Sequence, residues 1–83
     1  MITNSLEWEA KRLELKTQIL SLRYDTSLRT MLRNIDDMVT ELNKAEVDAR
    51  RTRTTNYLTP HLEKINESIT LLEKVILLGM MLD

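Results

Sequence analysis

The sequence contains very few of the residues that build turns, disulfides and metal sites. Its 83 residues include no cysteine, one glycine, one proline and one histidine. A disulfide framework is therefore excluded, and a zinc site, which draws on cysteine and histidine, is not expected. The shortage of glycine and proline also argues against a β-sheet with its many tight turns. The remaining expectation is an all-α protein, and at this length it is one domain at most.

Neither sign of charge dominates the sequence. Lysine and arginine total 12, aspartate and glutamate total 13, and the formal net charge is −1. This balance gives no overall basic surface for nucleic acid. The first residues contain no basic leader before an apolar run, and the longest apolar run, residues 75–78, is far too short to span a membrane. We therefore expect a soluble intracellular protein, cytoplasmic or nuclear, with no membrane span.

A single long helix is predicted from about residue 4 to about residue 51, a stretch without glycine or proline. Asn4 and Glu7 have the spacing of a capping box at its start, and apolar residues then recur at helical intervals. At 1.5 Å per residue this helix would be about 70 Å long. Its weakest point is residues 25–27, where a kink or a break would turn a two-helix hairpin into three helices. The apolar spacing changes just before this point to two successive steps of four, which is a coiled-coil stutter.

A second helix is predicted over about residues 59–78, after a loop at about residues 52–58. Thr59 and Pro60 suit its N-cap and first position, and Gly79 suits its C-cap. Its apolar residues alternate at steps of four and three, the a/d pattern of a coiled coil. The sequence thus predicts one all-α domain, an antiparallel helical hairpin within a coiled coil or multi-chain helical bundle. The predicted intrachain seam consists of Leu28, Met31, Ile35, Met38, Leu42, Leu58, Leu62, Ile65, Ile69, Leu72 and Ile76.

The first 24 residues are predicted to form an assembly surface. A helix of about 46 residues cannot be covered by one of about 20 residues folded back on it, so its N-terminal half would project from the hairpin. That half is apolar on two faces, which is typical of a helix packed between partners. For the apolar residues at the C-terminal end, the alternative is that they simply cap a small three-helix core. The predicted partner-facing residues are Trp8, Leu15, Ile19 and Leu22 as anchors, with Leu6, Leu13, Leu20, Tyr24, Leu77, Leu78, Met80 and Met81.

No set of residues predicts catalysis, a cofactor or a metal ion. His61 has no second histidine or cysteine to complete a site. The adjacent carboxylates of Asp36 and Asp37 point about 100° apart on a helix, so a solvated face is expected for them. Gly79 is the only glycine, so a phosphate-binding glycine loop is excluded. We therefore expect that the protein is not an enzyme. A small helical enzyme formed at a dimer interface is kept as the second alternative.

Arg50, Arg51 and Arg53 form the one basic cluster in the sequence. Three arginines could give weak, salt-sensitive binding to nucleic acid or to an acidic protein surface, so a polyanion-binding module is the first alternative function. No recognition-helix motif accompanies them, and a solvated loop is the favoured interpretation. The favoured function is a small non-enzymatic coiled-coil subunit or adaptor that assembles with helices of other protein chains. A heteromeric partner is favoured over a homo-oligomer.

Overall fold

The residues that the structure describes fold into three helices. A computed structural model describes residues 1–23, 25–54 and 57–82. The helices in these ranges are α1 at Leu6–Leu20, α2 at Asp25–Thr52 and α3 at Leu58–Leu82. The all-α class is confirmed, but the two-helix hairpin is wrong, because the stretch predicted as one long helix is divided into α1 and α2. Tyr24, one of the predicted partner-facing residues, lies outside the described residues.

α1 ends at Leu20 in a tight turn. The Ser21 hydroxyl donates to the Gln18 carbonyl at 2.7 Å, and the Leu22 amide donates to the Ile19 carbonyl at 3.0 Å. In a continued helix the Gln18 carbonyl would accept from the amide of residue 22, so the serine side chain competes with helix propagation. The break thus falls just before residues 25–27, which begin α2 and which the sequence had marked as the weakest point.

The start of α1 shows the predicted Asn4–Glu7 contact. The Glu7 amide donates to Asn4 Oδ1 at 3.1 Å, and Asn4 Nδ2 donates to Glu7 Oε1 at 3.4 Å. The asparagine side chain therefore satisfies one of the amides that the first turn of a helix leaves without a partner. The first helical residue is Leu6, two residues later than predicted.

α2 ends in a Schellman-type C-cap. Arg53 lies in the left-handed region with φ of 56°, and the Thr54 amide donates to the Ala49 carbonyl at 3.2 Å. This bond satisfies a carbonyl that the end of the helix would otherwise leave unpaired. The position favours glycine, so an arginine here stores a small amount of backbone strain.

α3 is longer than predicted at both ends. It begins at Leu58, so Thr59 and Pro60 lie in its first turn. It also continues through Gly79 without a positive φ, so the expectation of a C-cap at this glycine is wrong. A Cβ atom at Gly79 would lie 3.2 Å from Leu22 Cδ1. The glycine therefore allows the turn after α1 to approach α3 closely.

Hydrogen bonds to α3 show that α1 runs parallel to it. The Ile2 amide donates to Asn66 Oδ1 at 2.9 Å, and Asn66 Nδ2 donates back to the Ile2 carbonyl at 3.0 Å. Further along, Lys11 Nζ donates to Glu73 Oε2 at 2.8 Å. Because both residue numbers rise together, the two helices point the same way.

Hydrogen bonds to α2 show that α1 runs antiparallel to it. The Ser5 amide donates to Glu46 Oε2 at 3.0 Å, whereas Arg12 Nε donates to Asp36 Oδ1 at 2.8 Å. One residue number rises as the other falls. α1 therefore lies against the antiparallel hairpin that α2 and α3 form.

The core lies along the line where the three helices meet, within a bundle of 49 × 17 × 15 Å. All residues of the predicted intrachain seam are in this core or packed against it. Since α1 is covered by the hairpin of the same chain, the expectation that it projects is wrong. The buried core residues are Ile2, Trp8, Leu15, Ile19, Leu22, Leu28, Leu32, Ile35, Val39, Leu42, Ile65, Ile69, Leu72 and Ile76.

Candidate interaction surfaces

The four residues predicted as partner anchors lie in the chain's own core. Trp8, Leu15, Ile19 and Leu22 are 4%, 0%, 1% and 8% exposed, respectively. In this fold they cannot anchor a second protein, because α2 and α3 already cover them. A break near residues 25–27 that gives three helices, which the sequence left open, describes their placement.

Asp36 is the residue whose role the sequence did not reveal. Its Oδ1 accepts a hydrogen bond from Trp8 Nε1 at 2.7 Å, and its two oxygens accept from Arg12 Nε at 2.8 and 3.0 Å. The hydrogen bond from the guanidinium to Asp36 raises the pKa of Arg12. The buried indole thus has a charged acceptor, and α1 is tied to α2. The expectation of a solvated face is wrong for Asp36, whereas the neighbouring Asp37 is exposed.

Lys11 ties α1 to α3 on the other side. Its Nζ lies 2.8 Å from Glu73 Oε2 and 3.6 Å from Glu14 Oε1. The hydrogen bond to Glu73 is the main cause that raises the pKa of Lys11, and partial burial opposes it. Together, Arg12 and Lys11 fix the rotation of α1 about its axis, and this rotation decides which apolar face remains outside.

The outer stripe of α1 consists of Leu6, Ala10, Leu13, Thr17 and Leu20, which follow one another at steps of four and three. Its leucines are 86%, 66% and 57% exposed in chain order. Thr17 donates its hydroxyl to the Leu13 carbonyl at 2.9 Å, which satisfies the polar group within the helix. Leu13 lies about 200° around the helix from the buried Leu15. The bundle therefore leaves a complete a/d row of α1 facing solvent.

The α2–α3 groove lies on the side of the hairpin away from α1. On α2, Met38 lies about 200° around the helix from Asp36, which contacts α1; on α3, Leu71 lies about 200° from Glu73. The groove holds two depressions of about 230 and 220 Å³ that meet at Met31. Met31, Met38 and Val75 are half-buried there, and Leu71 and Leu78 are 56% and 58% exposed.

The end of α3 adds further apolar surface. Leu77, Met80 and Met81, which the sequence predicts to face a partner, are 58%, 44% and 74% exposed. Because α1 runs parallel to α3, this patch lies at the same end of the bundle as Leu20. Flexible methionine side chains suit a surface that must adapt to a second protein.

The basic cluster lies at the other end of the bundle. Arg50 and Arg51 occupy the last turn of α2, Arg53 follows in its left-handed C-cap, and all three are exposed. His61 is half-buried in the first turn of α3. Over the described ranges, no group of three or more histidine, aspartate or glutamate side chains could hold a metal ion.

Within the part of the chain that the structure describes, α1, α2 and α3 all lack the combination of length and apolar content that crossing a bilayer requires. No protein-family model, curated protein or solved structure matches the chain.

Proposed function

We propose that the protein is a small non-enzymatic helical adaptor that assembles with helices of other protein chains. The observation that carries this proposal is the outer stripe of α1. A folded bundle that has already buried its own core still presents three leucines at heptad spacing along one helix. Isolated exposed leucines are ordinary on protein surfaces, but a row at a/d spacing matches the knobs that a second helix receives.

The energetics favour a helical partner. Burying a leucine side chain contributes about 1.5–3 kcal/mol, so covering Leu6, Leu13 and Leu20 supplies several kcal/mol towards association. The hydrogen bonds from α1 to Asp36 and Glu73 already hold the outer stripe in place before a partner binds. A pre-ordered surface loses less conformational entropy when the partner arrives.

The charges beside the outer stripe indicate the chemistry of the partner. Glu9 and Lys16 lie on one side of Leu13, and Glu14 lies on the other, all exposed. An amphipathic helix with a leucine-rich face and basic residues near the N-terminal half of the stripe would complement this pattern. We propose a heteromeric partner with basic residues facing Glu9 and Glu14.

The experiment starts from the protein as isolated from its native source. A co-purifying chain is identified and purified, and its Kd for the wild-type protein and for Leu13→Asp is measured by calorimetry. We expect the substitution to weaken binding by about tenfold or more, because one central leucine is lost and a charge replaces it. Leu71→Asp, in the α2–α3 groove, is the matched control and is expected to retain binding.

Two outcomes would contradict the proposal. Equal loss of binding in both variants would show that the outer stripe is not the contact surface. Binding that survives Leu13→Asp but disappears in added salt, or on changing Arg50, Arg51 and Arg53 to alanine, would favour the polyanion-binding alternative.

A further inference from the structure

We propose that the α2–α3 groove is a self-association surface, occupied by the same groove of a second copy of this chain. The proposal concerns the face opposite the outer stripe of α1 and does not depend on the adaptor function. On both helices the groove residues recur at steps of four and three. They are Ser27, Met31, Asn34 and Met38 on α2, and Ser68, Leu71, Val75, Leu78 and Leu82 on α3.

A valley with two depressions runs between the two rows of groove residues. Met31 lines both depressions, and Met38 accepts a hydrogen bond at its sulfur from the Ser68 hydroxyl at 3.7 Å. The two rows are mostly apolar, with polar residues only at Ser27, Asn34 and Ser68, and the valley between them is of the kind that receives a helix in a four-helix bundle. α1 occupies the corresponding valley on the opposite side of the hairpin, so one face is filled and the other is not.

The distribution of polarity along the groove favours a second copy. The groove is apolar towards the α1–α2 turn, and towards the α2–α3 connection it becomes charged at Glu41 and Lys64, both exposed. Met38 and Ser68 are level with each other, as their hydrogen bond shows. Glu41 follows Met38 by three residues and Lys64 precedes Ser68 by four, so both charges lie at nearly the same level on this face.

A two-fold axis parallel to the hairpin would match this pattern of apolar and charged residues between two copies. The axis places α2 of one copy over α3 of the other, with the apolar halves together and the charged halves together. Glu41 of each copy then faces Lys64 of the other, giving two opposite-charge pairs. The Glu41 carboxylate also lies 3.3 Å from Lys44 Nζ, but both side chains are more than 60% exposed, so the carboxylate is open to a second cation.

The size of the groove sets the expected strength. Residues 27–41 span about 20 Å at 1.5 Å per residue, and two adjacent helices are roughly 20 Å wide. The two copies would therefore bury on the order of 1,000 Å², which is at the lower limit for a specific interface. A dimer that dissociates at micromolar concentration is expected.

Sedimentation equilibrium of the full chain over roughly 1–300 μM tests the proposal. The wild-type protein is expected to shift from monomer to dimer across this range. Leu71→Asp is expected to raise the dimer dissociation constant by about tenfold or more, because the charge lies in the apolar half of the interface. Leu13→Asp, a substitution of a similarly exposed leucine on the outer stripe of α1, is expected to leave it unchanged.

A charge exchange tests the geometry without disturbing the core. Glu41→Lys alone and Lys64→Glu alone are each expected to weaken dimerisation by about three- to tenfold. The two substitutions in one chain recreate opposite-charge pairs across the axis and are expected to restore wild-type dimerisation. Circular dichroism of each variant establishes that the helices remain folded.

Three results would overturn the inference. They are a monomer at all concentrations, equal sensitivity of self-association to Leu13→Asp and Leu71→Asp, and failure of the double charge exchange to restore the dimer. Because Leu71→Asp is also measured against the heteromeric partner, loss of the dimer with retained partner binding separates this inference from the adaptor function.

Discussion

At the scale of single residues, Asp36 makes the most informative contact in the bundle. It accepts from the indole of Trp8 at 2.7 Å and from Arg12 at 2.8 Å. We expect Asp36→Ala to lower the free energy of unfolding by about 1–2 kcal/mol, because the buried indole N–H loses its acceptor. Asp36→Asn is expected to cost less, since its amide oxygen can still accept, and the lost ion pair with the 40% exposed Arg12 side chain contributes at most about 1 kcal/mol.

Urea denaturation followed by tryptophan fluorescence measures these losses, since Trp8 is the only tryptophan in the chain. Asp37→Ala is the control, because Asp37 is the exposed neighbour of Asp36. We expect it to change stability by less than about 0.5 kcal/mol. Equal losses in the alanine variants of Asp36 and Asp37 would show that the indole hydrogen bond contributes nothing.

Arg53 affects stability through its backbone conformation rather than through its charge. Its φ of 56° is costly for any residue with a Cβ atom. We expect Arg53→Gly to raise the free energy of unfolding by about 0.5–1 kcal/mol in thermal or urea denaturation. Arg51→Gly is the matched control: it removes the same charge within α2 and should lower stability by up to about 1 kcal/mol. A loss of stability in both variants would contradict the C-cap interpretation.

At the scale of the helices, the sequence predicts the pairing of α2 with α3 better than it predicts how α1 packs against them. The seam of α2 and α3 could be predicted because each helix has a single dominant apolar row. α1 has two apolar rows, one through Leu15 and the other through Leu13, and its rotation about its own axis decides which row is buried. That rotation follows from the hydrogen bonds to Asp36 and Glu73, once the turn at Ser21 has brought α1 back against the hairpin. These contacts join distant parts of the chain, and helical periodicity does not reveal them.

The turn also explains why the predicted C-cap at Gly79 is wrong. Gly79 resembled a C-cap because glycine commonly ends helices. In the structure, this position needs a glycine because Leu22, 57 positions earlier in the sequence, packs closely against it. The stutter near Tyr24 did mark the place where α1 and α2 separate. A change of period thus located the break, but it did not predict that α1 would turn back onto its own chain.

The Lys11–Glu73 hydrogen bond between α1 and α3 makes the stability of the fold depend on pH in the alkaline range. Glu73 raises the pKa of Lys11 above its ordinary 10.5. A raised lysine pKa stabilises the folded state fully below 10.5, and this stabilisation is lost as the pH rises through the folded-state value. We expect Lys11→Met to lower stability at neutral pH and to differ progressively less from the wild type above pH 10.5.

Urea denaturation at a series of pH values measures this difference. Lys74→Met, which removes an exposed lysine from α3, is the control for the loss of a lysine side chain. The effect is expected to be small, because the Glu73 side chain is 44% exposed and solvent screens the pair. A difference between wild type and Lys11→Met that stays constant through the alkaline range would contradict the assignment.

At the scale of the whole molecule, the three helices are not equally supported. α2 and α3 face each other over most of their length, whereas α1 covers only part of the hairpin and buries three residues within its own helix, Trp8, Leu15 and Ile19. The region around Leu58 lies beyond α1, near Ala49 and Arg50. α1 should therefore leave the hairpin at a lower free energy than the hairpin needs to unfold, as a separate cooperative unit.

Amide hydrogen exchange in the native state tests this hierarchy. In the wild type, we expect the most protected amides of α2 and α3 to exchange by global unfolding and those of α1 by a less costly opening. Leu58→Ala should lower the protection of amides in α2 and α3 by about 1–2 kcal/mol. It should leave the protection of α1 unchanged, because the hairpin stays folded when α1 undocks and is therefore destabilised equally in both forms. Leu15→Ala, which removes a fully buried side chain, should lower protection of α1 by about 2–5 kcal/mol. Equal protection across all three helices, falling equally in both variants, would instead show that the bundle is one cooperative unit. The buried face of α1 could then be exposed only by unfolding the entire bundle.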